Sequence, residues 1–394
     1  MNSFLYSFID SPLKIILVGS LISFLLTYRA IPVIVYLSYA KNLFVIPNKR
    51  SSHLISTPNL GGVGIFIGAV FTTNFIGSLV LNQSQLSQLT ALNASMILLF
   101  FAGIKDDIHN LTPYKKILIQ IFATLIVVIS SNLRIEGFFS IFGIEELPLF
   151  ISYFFTIIVF IFMINAYNLI DGIDGLAGSI AIIIFGFYGY IFFLNNNFFG
   201  LILCVTIIGS MGAFLVFNLS KSRRKIFMGD TGSMFVGFLI IYVSTIILDN
   251  NKLPIKFTNN LPVVIVALLS FPILDTIRIF TIRIMSGKSP LKADKNHMHH
   301  RLLKLGFSHI KSTLIISFFV ILILVFSVLT SSLNISFHFF VVAIFSFFCT
   351  LIPYFIEKTD GKWNLKVPNL PKKEKSKKKN SNILKKMGNT NFKQ

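Results

Sequence analysis

The chain has only two cysteines in 394 residues, Cys204 and Cys349, and both lie inside apolar runs. That scarcity excludes a disulfide framework and leaves no thiolate set for a metal centre, so both are expected to serve packing. Charge is scarce too: 13% of residues are charged against 54% hydrophobic, with a mean hydropathy of +0.78. This balance excludes a soluble domain. The apolar runs lack the strict polar–apolar alternation of a transmembrane barrel. No basic residue precedes Lys14 and no small-residue cleavage site is present, so the first run is expected to be a retained span. No solenoid- or transporter-type repeat is visible.

What the sequence does have is solid apolar runs, at about 13–37, 61–81, 90–105, 116–132, 149–168, 178–194, 198–218, 232–249, 261–284, 313–331 and 336–356. By length these predict an all-α polytopic integral membrane protein with about eleven transmembrane helices. The formal charge of +20 could suggest a nucleic-acid partner, but its distribution argues against one. Of 35 Lys and Arg residues, 29 fall in one alternating set of loops, three in the other, and three within or beside spans. The basic set is expected on the cytoplasmic side and the N-terminus outside. Residues 1–356 then form a multi-span catalytic domain. Residues 357–394 form a basic cytoplasmic tail, expected to be disordered and held near anionic headgroups. The segment Asn132–Pro148 is expected to be an external hairpin or loop.

With this topology the unusual polar clusters all face the cytoplasm. Asn165–Gly178, NAYNLIDGIDGLAG, ends the fifth span and carries Asp171 and Asp174, each followed by glycine. At helical spacing Asn165, Asn168 and Asp171 share roughly one face, and carboxylates at a membrane edge are usually functional. The first loop holds Lys49, Arg50 and His53 before Thr57-Pro58 and Gly61-Gly62, a set that could cradle phosphate through cations and glycine amides. Asp106 and Asp107 are adjacent like charges, relieved by a cation or by a raised pKa, and Lys115, Lys116 and Gln120 follow. Arg223, Arg224 and Lys225 precede Phe227 and then Gly229-Asp230-Thr231-Gly232-Ser233, which reads as an anion-binding nest opening a helix, with Asp230 on a cation. Asp275 and Arg278 are spaced to neutralise each other. Asp294 leads into His297, His299, His300 and Arg301, whose spacing does not support zinc and which suit a diphosphate better. Loop carboxylates without thiols favour Mg²⁺, or Mn²⁺. The combination implies phosphoryl chemistry joining a soluble nucleotide to a lipid.

Together these stretches resemble the polyprenyl-phosphate N-acetylhexosamine-1-phosphate transferases. RSSH…TPNLGG, DDIHNLTPYKKILIQ, NAYNLIDGIDGLAG, FMGDTGS, FPILD and DKNHMHHRL occur in family order between Arg50 and Leu302. The resemblance implies a Mg²⁺-dependent enzyme of the bacterial inner (plasma) membrane. It would move a sugar-1-phosphate from a UDP-N-acetylhexosamine to undecaprenyl phosphate, release UMP and initiate a cell-envelope polysaccharide. It implies Asp230 as the metal ligand and Asp106, Asp107, Asp171, His299 and His300 as the catalytic set. Lys116, Asn168, Asp174, Phe227, His297 and Arg301 fall on substrate-binding positions, with Asp174 and Phe227 on the uracil. The HxHHRL form of the histidine loop is similar to the branch that transfers GlcNAc-1-phosphate. The phospho-N-acetylmuramoyl-pentapeptide transferase of peptidoglycan synthesis is the alternative within the family, and a lipid-linked sugar transporter or flippase the alternative of another class. A homodimer is compatible with the sequence.

The topology is directly testable. Single cysteines at Ser52, Asn110, Ser222 and Lys295 should be shielded from impermeant thiol reagents in intact cells, and one at Asn259 should be labelled. Labelling of the first group from outside would overturn the orientation.

Overall fold

The helices begin where the chain supplies caps. Ser11 accepts from the Lys14 amide at 3.4 Å, with Pro12 at the first helical position, to open α1 (Pro12–Ala40). α2 is Gly61–Val80. Asn82 and Gln85 form a reciprocal capping box at the start of α3 (Gln83–His109). This cap lets α3 begin in polar sequence, well before the apolar run predicted at 90–105. The helix also runs on through Asp106 and Asp107, so both sit on its last turns rather than in a loop. Pro113 starts α4 (Pro113–Ser131), and α5 (Leu149–Ile170), α6 (Leu176–Leu194) and α7 (Phe198–Asn218) follow. α8 is Gly229–Leu248, α9 Leu261–Leu268, α10 Ser270–Met285 and α11 Met298–Lys304. α12 is His309–Leu329 and α13 Ile335–Phe355.

This computed structural model describes residues 11–44, 57–249, 260–289, 296–359 and 362–365. Within them ten helices are long and apolar enough to cross a membrane, or eleven spans if α9 and α10, bent by 62° at Leu269, are counted as one broken span rather than a re-entrant loop. The expected helical polytopic fold forms, with ten spans, or the expected eleven with the bent pair counted. Between α4 and α5 the chain doubles back: the Leu147 amide donates to Glu136 O at 2.7 Å, and Arg134 pairs with Glu136 at 2.9 Å. After α13, Ile356–Thr359 pairs antiparallel with Lys362–Leu365. The remainder of the basic tail lies outside the described residues, as do Lys49, Arg50, His53 and Asp294.

α8 is the axis of the bundle. Its apolar window is 94% buried, against 28% for α1, α4 and α13, whose outer faces carry exposed Phe337, Phe347 and Leu21 for contact with lipid. Inside a bilayer, helices gain little from burying apolar surface against one another, so close approach and polar contacts hold the bundle. Ser23 and Ser210 hydrogen-bond at 2.6 Å, Thr73 and Thr206 at 2.8 Å, and Tyr188 and Ser244 at 2.6 Å. Cys204 and Cys349 are free and buried, in the packing role expected of them.

The N-terminal end of α8 is held from three sides. The Phe227 amide donates to Pro58 O, and the Gly61 and Gly62 amides donate to Phe227 O and Met228 O, at 2.8–2.9 Å. Gly62 lies against the backbone of Gly232, where an added Cβ would sit 2.1 Å from its nitrogen. Gly229 adopts φ +71°, open to glycine at little cost, and a Cβ there would meet Asn59 O at 2.0 Å. From α3, Asp107 accepts from the Asp230 amide at 2.8 Å, the Thr231 amide at 3.0 Å and the Thr231 hydroxyl at 2.6 Å. Asn59 Nδ2 donates to the same carboxylate at 3.2 Å. Asp107 therefore caps α8 from another helix.

Two substitutions test this clamp. Gly62→Ala should cost about 1–3 kcal/mol or more through overpacking. Asp107→Ala strands two helix-terminal amides and should cost about 1–3 kcal/mol. Gly186→Ala, which meets nothing within 4 Å, is the neutral control. Thermal unfolding of the three purified variants in detergent measures the difference, and equal midpoints would refute the clamp.

Candidate functional site

The ends of four helices meet at one end of the bundle: the last turn of α3, the first turn of α4, the end of α5 and the start of α8. Asp106 on α3 forms an ion pair with Lys116 on α4, and Lys116 Nζ lies 3.1 Å from Asp230 Oδ1 on α8. One ammonium is thus shared by two carboxylates. Asp106 is 4% exposed and also accepts from the Leu111 amide, while Asp230 keeps 28% exposure. Asn168 on α5 donates through Nδ2 to Asp230 Oδ1 at 2.5 Å and to Ser233 Oγ at 2.7 Å. Asn165, one turn earlier, donates to Gln120 Oε1 at 2.7 Å and ties α5 to α4. Five residues singled out from sequence, Asp106, Lys116, Asn168, Asp230 and Ser233, form one hydrogen-bonded cluster.

Asp171 terminates α5 beside this cluster. Burial, with repulsion from Asp230, Asp107 and Asp174, pushes its carboxyl up to about 7. The turn that follows is covered by the histidine loop: a Cβ on Gly172 would lie 2.2 Å from His299 Nε2. His299 is buried, its Nδ1 has no hydrogen-bond partner, and burial beside His300 and His297 lowers its pKa to about 3, so it is a neutral imidazole. His299 and His300 rings are 4.3 Å apart. His297 faces away from solvent and bonds Asp275 Oδ2 through Nδ1 at 2.8 Å. Asp275 Oδ1 accepts from Arg278 at 2.8 Å and from the Met298 amide at 3.0 Å, so Asp275 anchors α11 to α10. Arg301 Nε donates to Pro353 O at 3.1 Å, toward the end of α13.

A third group lies beyond the turn. Asp174 Oδ2 accepts from Lys225 Nζ at 2.6 Å and contacts His309 Nδ1 at 3.0 Å. Lys225 also stands 5.6 Å from the centre of the Phe227 ring, so one ammonium links Asp174 and Phe227. Burial raises the Asp174 pKa, but the His309 and Lys225 contacts outweigh it and the net shift is downward. Asp174, Lys225 and His309 border a cavity of about 420 Å³, also lined by Tyr39, Lys221, Arg223 and Ser308. An apolar cleft of about 400 Å³ lies between α5, α8 and the bent α9–α10 pair. Met163 and Ile273 line it, on the helices that carry Asn168 and Asp275.

Two expectations change. The amides of Gly61 and Gly62 do not form a phosphate cradle, because they pair with Phe227 O and Met228 O. The start of α8 is not an open anion nest, because the Asp230 and Thr231 amides are already bound to Asp107. Both segments were legible as special, but the partners that fill them come from elsewhere in the chain. Lys225 and His309 were not singled out as site residues; they stand outside the sharp motifs, and only the fold places them on Asp174.

The donor set can be compared with a divalent cation. Among the described residues no three His, Cys, Asp or Glu side chains converge as a metal-binding group, which disfavours zinc on the histidines. Mg²⁺ needs fewer protein ligands, being commonly held by one or two carboxylates with water and substrate phosphates. Asp230 and Asp106 already share one cation, the Lys116 ammonium, and fit that pattern.

Comparison with known proteins accords with this geometry. Residues 89–248, which carry the central cluster, match the model of glycosyl transferase family 4. The chain is 32% identical over 310 residues to the probable undecaprenyl-phosphate N-acetylglucosaminyl 1-phosphate transferase of Bacillus subtilis (strain 168), covering 78% of this chain and 83% of that protein. It is 28% identical over 274 residues to the undecaprenyl-phosphate alpha-N-acetylglucosaminyl 1-phosphate transferase of Escherichia coli (strain K12), covering 69% and 72%. The same segment length of the Salmonella typhimurium enzyme of that name is 27% identical. With its helix-end carboxylates and this extent of similarity, the chain belongs to glycosyl transferase family 4.

Proposed function

We propose that this protein transfers N-acetylglucosamine-1-phosphate from UDP-N-acetylglucosamine to undecaprenyl phosphate and releases UMP. The observation that carries the reading is the Asp106–Lys116–Asp230 cluster at the helix ends, in a chain that also has a polar cavity at Asp174 and an apolar cleft running along α5 and α8 toward their other ends. A polyprenyl chain suits the cleft, and a nucleotide suits the cavity beside Asp174 and Phe227. The names of the relatives above favour the GlcNAc branch over the muramoyl-pentapeptide one. The charge distribution favours placing the site and the tail on the cytoplasmic side of the plasma membrane. The acids lie at helix ends rather than at mid-span, which favours an enzyme over a transporter.

In the reaction an oxygen of the lipid phosphate attacks the β-phosphorus of the UDP-sugar. The bond from that phosphorus to the oxygen bridging to UMP breaks, and UMP leaves with the electron pair. A lipid phosphate is already anionic at neutral pH, so direct attack is favoured over a covalent enzyme intermediate. Asp106, fixed by Leu111 and Lys116, positions the acceptor end of the site. Lys116 carries the positive charge between Asp106 and Asp230 and can share it with phosphate oxygens. Asn168 orients Asp230, and His299, uncharged and packed on Gly172, offers a neutral ring nitrogen near the turn. A Mg²⁺ ion, or Mn²⁺, held by Asp230 with Asp106 would offset charge on the diphosphate.

Purified protein should release UMP from UDP-N-acetylglucosamine in the presence of undecaprenyl phosphate, and should reject the muramoyl-pentapeptide donor. Asp230→Asn should lower turnover on the order of a hundredfold or more with the fold retained. Turnover by that variant near the parent rate, or full activity in EDTA, would refute the metal assignment. Phe227→Ala should raise the KM for the UDP-sugar by roughly one to two orders of magnitude, for a stacking worth of about 1–3 kcal/mol. The KM for the lipid phosphate should stay put, and equal weakening of both would point to a collapsed loop instead.

A further inference from the structure

Asp174 is held in an unusual way. Its Oδ2 contacts two donors from distant elements, Lys225 in the loop after α7 and His309 on the first turn of α12. Its Oδ1 is buried and has no hydrogen-bond partner. A carboxylate normally satisfies both oxygens, and leaving one buried and unmatched is costly. Two donors on one oxygen fix the plane of the group, so the other oxygen points in a set direction. The backbone reinforces this: Thr313 on α12 donates to Asp174 O at 2.9 Å, and the Gly175 amide is fixed on Asn218 at 2.7 Å.

The His309 ring nitrogen has a defined part in this. Nδ1 lies 3.0 Å from Asp174 Oδ2 and 3.4 Å from the Asp174 amide nitrogen. It cannot donate to one and accept from the other at once. The shorter contact is with an ionised carboxylate, which only accepts, so Nδ1 carries a hydrogen.

We infer that His309 is a positioning residue for nucleotide selection: with Lys225 it pins Asp174 Oδ2 and leaves Oδ1 as a fixed acceptor for the imide N–H of a uracil ring. The inference rests on the proposed UDP-sugar donor. Uracil presents a hydrogen at its ring N3, whereas cytosine presents a lone pair there, which a carboxylate oxygen repels. A pinned carboxylate therefore discriminates between the bases, and a carboxylate free to turn does so less well.

The test is equilibrium binding of UDP and CDP to the full-length protein in detergent, followed by steady-state UMP release from UDP-N-acetylglucosamine. His309→Leu should weaken UDP binding about tenfold, the scale of a lost hydrogen bond to a charged group. CDP binding should change little, so the preference for UDP over CDP falls by a similar factor. KM for the UDP-sugar should rise in parallel while kcat stays within about twofold. His309→Asn, whose amide nitrogen branches from the same Cγ position as Nδ1, should recover most of the preference. An unchanged UDP-to-CDP preference in His309→Leu overturns the inference, as does equal loss in the Leu and Asn variants. So does a fall in kcat at constant KM. Failure of the parent protein to turn over any UDP-sugar would instead remove the proposed reaction, and the binding arm would still decide the role of His309.

Discussion

A carboxylate on one helix holding the first amides of another is the contact on which the site depends. Asp107, in the last turn of α3, accepts from the Asp230 and Thr231 amides and the Thr231 hydroxyl. This fixes the start of the most buried helix in the bundle relative to the helix that also carries Asp106. Two neighbouring acids thus divide the work. Asp107 faces α8 and sets where it begins, while Asp106 pairs with Lys116 on α4. Gly103 and Gly229 matter here: a Cβ on Gly103 would lie 2.3 Å from Thr231 Cα and one on Gly229 2.7 Å from the Asp107 carboxylate, so nothing larger lets α3 and α8 come close enough for that bond to form.

Much of this was legible in the sequence. Apolar runs gave the spans because length and hydropathy are local properties, whereas the 62° bend at Leu269, which decides whether 261–285 is one span or a re-entrant break, is not visible in hydropathy. Asp106, Lys116, Asn168 and Asp230 were each marked by the expense of placing polar groups at a membrane edge, and they converge. What local sequence cannot report is which donors are already taken. Gly61-Gly62 and the GDTGS stretch both look ready for an anion, yet the amides of Gly61, Gly62, Asp230 and Thr231 are bound within the protein. Lys225 and His309 were given no site role for the opposite reason: Lys225 read as one cation of a basic loop and His309 carried no motif, and meaning arises only where both reach Asp174.

The histidine loop occupies an intermediate position. Its residues were grouped correctly, but they separate by role. His297 is bonded to the Asp275 anchor, and Arg301 reaches the backbone at Pro353. His299 lies on Gly172, where only a residue without a side chain leaves room for the ring. The loop thereby joins α10, α11 and the turn after α5 into one wall.

The apolar cleft between α5, α8 and the bent pair is bordered by Phe142 and Val266, 56% and 41% exposed on the lipid side of the bundle. A substrate whose chain enters there arrives by diffusion within the plane of the bilayer, while its partner arrives from water. The encounter with the lipid is two-dimensional, so its rate follows the mole fraction of that lipid in the surrounding membrane rather than its amount per volume. Diluting the protein into inert lipid at constant total substrate would therefore slow one half of the reaction and leave the other unchanged.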